Sequence, residues 1–334
     1  MLKTFKHPLF KRELAQIKWS TLLMILALLL PLLLVLNEID HNAQIHGFRI
    51  ETMDFLTEVP SDILGWLVIP ILIISQFYYT RKDSVSGLLA SLPYSRKKQI
   101  LFKYFSGIIS ICSSYFVVFL VMSSTYFSAG HPLDGPYSPI FVWLLITSAS
   151  SIFQYSFLFL IATLMGNSVF AGVAGFLIYY TPAFLVGSIL LNVDMFFDYY
   201  VDLEPLFKIV FPHYISYTAH WYNQSSVLIT DVLPILLGYT IGSTLLFKLA
   251  EKAFNLNNYE YNGNMFMFIW AENVFLAGFS LCFGFLALDF SQAFQSGWLY
   301  PLAIVIGLAC FPVGYILARK LLQITGHQLQ FKRS

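Results

Sequence analysis

The sequence predicts an all-α, polytopic membrane protein of eight transmembrane helices with both termini cytoplasmic. Three observations carry that reading. Of 334 residues, 57% are hydrophobic and only 11% charged, where soluble domains carry roughly 25% charged residues. The apolar residues gather into eight runs of spanning length. The basic residues sort almost entirely to one side of those runs. A chain this apolar, with mean hydropathy +0.70, cannot cover a globule with polar surface, so lipid is its solvent. The net charge of +1 provides no bulk attraction to nucleic acid. Cys112, Cys282 and Cys310 all lie inside apolar runs, which reads as free thiols packed like small hydrophobes rather than a disulfide framework.

A spanning helix needs about 20 mostly apolar residues. The runs are residues 19–36, 63–79, 105–127, 139–165, 169–191, 232–250, 265–288 and 299–318. With the N-terminus inside, 17 of the 19 Lys and Arg residues fall on the inner side and only Arg49 and Lys208 fall outside. That asymmetry is what the positive-inside rule requires. Thirteen of the 18 acids fall outside. A six-span alternative makes the last two runs a buried hairpin.

Residues 1–18 precede the first span. Leu9, Phe10, Leu14 and Ile17 recur at helical spacing among Lys11, Arg12 and Lys18, which predicts an interfacial elbow helix ahead of a transmembrane domain over 19–334, the alternative being a simple extension of span one. The first run is not a cleaved signal peptide, because it is long, contains Pro31 and leads into Asn37-Glu38-Ile39-Asp40 with no small-residue cleavage site. The segment 192–231 is rich in aromatics, with Asp194, Asp198 and Asp202 at i, i+4, i+8. Its expected form is re-entrant or interfacial helices at the outer face before span six, since aromatics with a polar handle favour the membrane boundary. Asp194, Asp198 and Asp202 read either as a solvated face or as a surface attracting a cation. His213 and His220 stand two helical turns apart, too far to share one ion.

Catalytic and nucleotide-binding signatures are missing. The sequence has no G-x-x-x-x-G-K-[ST], no H-E-x-x-H and no G-x-S-x-G, so the expectation is a non-enzyme that binds no ATP itself. Glu272 is the one acid within the apolar runs. It is either a membrane-buried acid, which would be functional, or an interfacial acid favoured by a helix N-terminus. The scarcity of intramembrane charge argues against ion-coupled transport. Most hydroxyls and amides in the spans read as interhelical hydrogen bonders; Gln76, Tyr179, Tyr180 and Thr181 are candidates to line an amphipathic path, with Pro182 kinking the fifth span.

The loop over 81–103 carries six basic residues, Arg81, Lys82, Arg96, Lys97, Lys98 and Lys103. Asp83 or Ser84 can cap a short helix whose one face is Leu88, Leu89 and Leu92. Pro93 stops it, because the residue before proline avoids the helical region. Ser95 can cap the next helix. A helix of about nine residues does not stand unaided in water, so its leucine face packs on membrane, on the span ends or on a partner.

With its basic N-terminal helix, outer loop and Ser91-Leu92-Pro93-Tyr94-Ser95-Arg96-Lys97 run between spans two and three, the chain resembles the permease subunits of ABC-2 type ABC transporters. The likeness covers a six-span core over about residues 1–250. Two features depart from the family: Asp83 is followed by Ser84-Val85 where many members have Gly-Thr, and two spans are added at the end. Eight-span relatives of this length resemble permeases linked to cell-envelope stress in Gram-positive bacteria. The resemblance implies a coupling helix at Leu88, Leu89, Leu92, Pro93 and Tyr94 docked on a separate cytoplasmic ATPase that binds ATP and Mg, with Arg96, Lys97 and Lys98 holding the loop. It also implies a second permease copy or paralogue, a bacterial cell membrane, and export of an amphipathic, lipid-like or peptide substrate. The alternative function is a membrane sensor or immunity protein that binds a peptide or lipid at its outer face without transport.

Overall fold

The computed structural model describes residues 8–46, 50–51, 61–81, 94–128, 133–134, 137–197, 229–256, 265–291 and 299–324. These form eight helices: α1 (Pro8–His46), α2 (Ser61–Arg81), α3 (Arg96–Phe127), α4 (Ser138–Leu164), α5 (Ser168–Phe197), α6 (Ile229–Leu256), α7 (Ile269–Ser291) and α8 (Leu299–Ile324). Each expected apolar run falls on one of them, apart from residues 165 and 265–268 at the edges of two runs. Six (in α1, α3, α4, α5, α6 and α7) contain stretches long and apolar enough to cross a membrane, and α2 holds a shorter apolar stretch, Leu67–Tyr78. The molecule is a multi-pass helical membrane protein. In lipid a backbone must satisfy itself, and helices do this within one segment.

α1 corrects one expectation in detail. The segment over 1–18 was expected as a separate elbow, but from Pro8 onward it continues into the first span without a break, as one 39-residue helix. At 1.5 Å per residue that is about 58 Å, nearly twice the hydrocarbon thickness of about 30 Å, so α1 projects well past the apolar layer. Pro31, Pro70, Pro182, Pro234 and Pro312 sit inside helices, and neighbouring helices support the backbone at such points.

α2 lies at the centre, packed on α1, α4 and α5, while α3 joins α1, α4 and α6. α6 lies along α4, and α7 pairs with α8 to form a hairpin attached to α5. On the hairpin, Leu281, Leu286, Val305, Leu308, Val313, Ile316 and Leu321 are exposed. One core cluster runs the length of the bundle through Leu32, Ile69, Ile73, Phe77, Tyr115 and Phe159. The opposite face of α1, with Leu22, Leu26, Leu30 and Leu33, is exposed, as suits a helix solvated by lipid. Cys112 is exposed and Cys282 and Cys310 half-buried, all as free thiols, so Cys112 is not packed as expected.

At one end of the bundle, strands β1 (Ile50–Glu51) and β2 (Leu133–Asp134) pair in parallel and tie the segment after α1 to the one before α4. At the other end, the turn between α4 and α5 bonds to residues 265–267: Met267 N–H donates to Leu164 O at 2.9 Å and Gly166 N–H to Met265 O at 3.3 Å. Asn167 Oδ1 accepts from Val169 and Phe170 N–H, an N-cap that starts α5.

Candidate functional site

The second end gathers the charged groups. Glu13 on α1, Gln76 on α2 and Lys103 on α3 are all buried. Lys103 Nζ donates to Glu13 Oε2 at 2.8 Å and to the main-chain oxygen of Gln76 at 2.5 Å, and lies 5.4 Å from the centroid of the Phe77 ring. Arg12 donates to the other oxygen of Glu13 at 2.8 Å. A buried charge is tolerated only when paired and hydrogen-bonded, and here both members are. Gln76 completes the junction. Its Nε2 donates to Lys103 O at 3.1 Å and its Oε1 accepts from Tyr155 Oη on α4 at 2.9 Å. Tyr104 stacks on Tyr155 and on Phe247 of α6, and its hydroxyl meets Ser156 Oγ at 2.7 Å. One buried network thus joins α1, α2, α3, α4 and α6.

Arg81, the last residue of α2, also approaches Phe77, with its guanidinium carbon 5.8 Å from the ring centroid. It donates to Ala162 O at 2.9 Å and contacts Met267 Sδ at 3.1 Å. Ala162 lies in the last turn of α4, where carbonyls lack helical partners and a cation is favoured. Arg81 therefore caps α4 and holds the approach to α7. Glu272 is buried in the first turn of α7, which begins at Ile269. There the helix dipole stabilises an acid.

Of the loop residues, Leu88, Leu89, Leu92 and Pro93 lie outside the described residues, as does the aromatic segment from 198 to 228. Tyr94 packs on the cluster of Leu9, Phe10 and Phe102. Ser95 takes the N-cap position of α3, though its hydroxyl makes no capping bond; its carbonyl accepts from Lys98 and Gln99 N–H. Arg96 reaches Asn255 O on α6 at 3.5 Å. Lys97 and Lys98 are exposed.

The expected path residues are not all together. Gln76 is locked in the charged junction. Tyr179 packs edge-on to Phe157, Tyr180 Oη accepts from Gln154 at 3.4 Å, and Thr181 bonds Leu177 O and receives Cys282 Sγ at 3.9 Å. Sequence reasoning missed Glu13 as a site residue and placed Lys103 among loop cations. A signal existed: Phe10, Glu13 and Ile17 fall on one helical stripe, so the acid shares the apolar face. Among the described residues no three His, Cys, Asp or Glu side chains cluster to hold a metal. No family model, no curated protein and no solved structure matches the chain.

Proposed function

We propose that this chain is the membrane subunit of an ABC exporter of the ABC-2 type. The eight helices span alternately, with the basic end cytoplasmic, and a separate ATPase docks on the loop over 81–103. The observation that carries the reading is the Ser91-Leu92-Pro93-Tyr94-Ser95-Arg96 run and what adjoins it. Its described part, Tyr94 to Arg96, leads into α3 about two turns before Lys103, which ties α3 to α1 and α2. A push on the loop reaches three helices through that junction. The ATPase supplies the ATP and Mg site, and a second permease copy or paralogue completes the transporter in a bacterial cell membrane. The substrate is amphipathic or lipid-like, because the spans offer hydroxyls and aromatics.

The test is purification of the tagged chain from its native membrane. A P-loop ATPase is expected to co-purify in near-stoichiometric amount. Leu92→Asp is expected to lower its recovery by more than about tenfold, since a charge in the centre of an apolar contact removes at least a hot-spot's worth of binding. No ATPase in the parent preparation, or full recovery with Leu92→Asp, sinks the proposal.

A further inference from the structure

A band of polar side chains surrounds α4 at mid-helix, away from the charged junction. Gln154 faces Tyr180 of α5, Phe157 meets Tyr179, and Phe153 meets Tyr239 of α6 at 5.8 Å between ring centroids. A Cβ on Gly242 would meet the Phe153 ring, which fixes the register of α6 on α4. Tyr179 and Tyr239 lie close enough to interact electrostatically. Ser243 follows Tyr239 by one turn. Within this band Gln154 Oε1, Tyr179 Oη and Ser243 Oγ are buried without a hydrogen-bond partner, on residues that are each more than nine-tenths buried. In the middle of a bilayer no bulk water reaches such atoms, and an unmet polar group there is costly. Each of the three, one on α4, one on α5 and one on α6, leaves hydrogen-bonding capacity unused inside the bundle, and each such atom calls for a partner.

α5 and α6 flank α4 without substantial packing on each other, and Phe153 and Phe157 between them are only half-buried. Among the described residues, the face of α4 between the two helices is partly exposed at Phe153 and Phe157. None of the band's residues carries a charge, so a charged headgroup finds no counter-ion. Gln154 Oε1 only accepts, whereas the Tyr179 and Ser243 hydroxyls donate or accept. A neutral guest hydroxyl suits this set, since it donates to Gln154 Oε1 and accepts from the Tyr179 and Ser243 hydroxyls.

We infer that Gln154, Tyr179 and Ser243 form a lateral intramembrane binding site for a neutral, hydroxyl-headed lipid, which enters between α5 and α6. The three polar atoms are closed off in the present conformation, so α5 and α6 move apart to admit the hydroxyl. The site stands independently of the exporter reading and of any ATPase.

The probe is a diacylglycerol bearing a diazirine in one acyl chain, added to the purified chain in nanodiscs and photolysed. Its methyl-capped ether serves as the control. Labelling is expected on peptides of α4, α5 and α6, with the free hydroxyl favoured roughly three- to tenfold over the ether, the range of one neutral hydrogen bond. Tyr179→Phe and Gln154→Leu are each expected to lower hydroxyl-selective labelling by a similar factor. Tyr179→Phe removes only an unpartnered hydroxyl, so its thermal unfolding should match the parent or improve. Equal labelling by both probes, labelling spread over all helices, or selectivity unchanged in both variants overturns the inference. These outcomes do not depend on whether an ATPase co-purifies.

Discussion

Replacing Lys103 with Met is expected to destabilise the purified protein by about 3–5 kcal/mol, because it leaves the Glu13 carboxylate buried without its cation. In thermal unfolding followed by size-exclusion of the surviving fold, that is a drop of roughly 6–12 °C in the midpoint. Glu13→Leu is expected to cost about as much, through the stranded ammonium. The double variant Glu13→Leu/Lys103→Met should recover at least half of either loss, since two apolar groups of similar volume remove both desolvation penalties. The sign of the coupling is the informative part. The Glu13 and Lys103 side chains are only 3% exposed, so solvent screening does not blunt the effect as it would for a surface pair. A parent-like midpoint for Lys103→Met would show that the ammonium is not held by Glu13.

Gly107→Ala is expected to be the most damaging single-methyl change in the bundle. A Cβ at Gly107 would lie inside the hydroxyl and ring of Tyr155, and Tyr155 is fully buried between Tyr104 and Phe159. To make room, Tyr155 must leave its bond to Gln76 Oε1. Overpacking of about 1–3 kcal/mol and a lost buried hydrogen bond of about 1 kcal/mol then add. Gly238→Ala is the matched control. Nothing lies within 4 Å of a Cβ there, so the change should be neutral or stabilising by up to about 1 kcal/mol through helix propensity. The comparison is read in the same thermal assay. Equal midpoints for the two variants would mean that α3 and α4 do not approach at Gly107 as closely as described.

Much of the fold is legible in the sequence because its signals are local. A stretch such as 139–165 is apolar for longer than the hydrocarbon is thick, and no neighbour is needed to say that it is a helix. The basic loop over 81–103 carries an expected side of the membrane by charge alone. Glu272 was legible only as a pair of alternatives, and its place in the first turn of α7 depends on where that helix starts. Lys103 was legible only as one more basic residue, since nothing within its own segment says that it turns inward. The candidate path was half legible: Tyr179 and Tyr180 do lie on one polar band, but Gln76, which looked like their companion, belongs to the charged junction on another set of helix faces.

By itself the sequence determined the helical class and the eight apolar segments, because hydropathy adds up along a chain without regard to its neighbours. Only the tertiary structure decided that Glu13 meets Lys103 across 90 residues, that Gln76 and Tyr155 close the junction around them, and that Gln154 reaches Tyr180 of α5. Those pairings depend on which face each helix turns toward the others. That choice is made by close packing at glycines such as Gly107 and Gly242 and by the need to pair every buried charge, neither of which is written in any one segment.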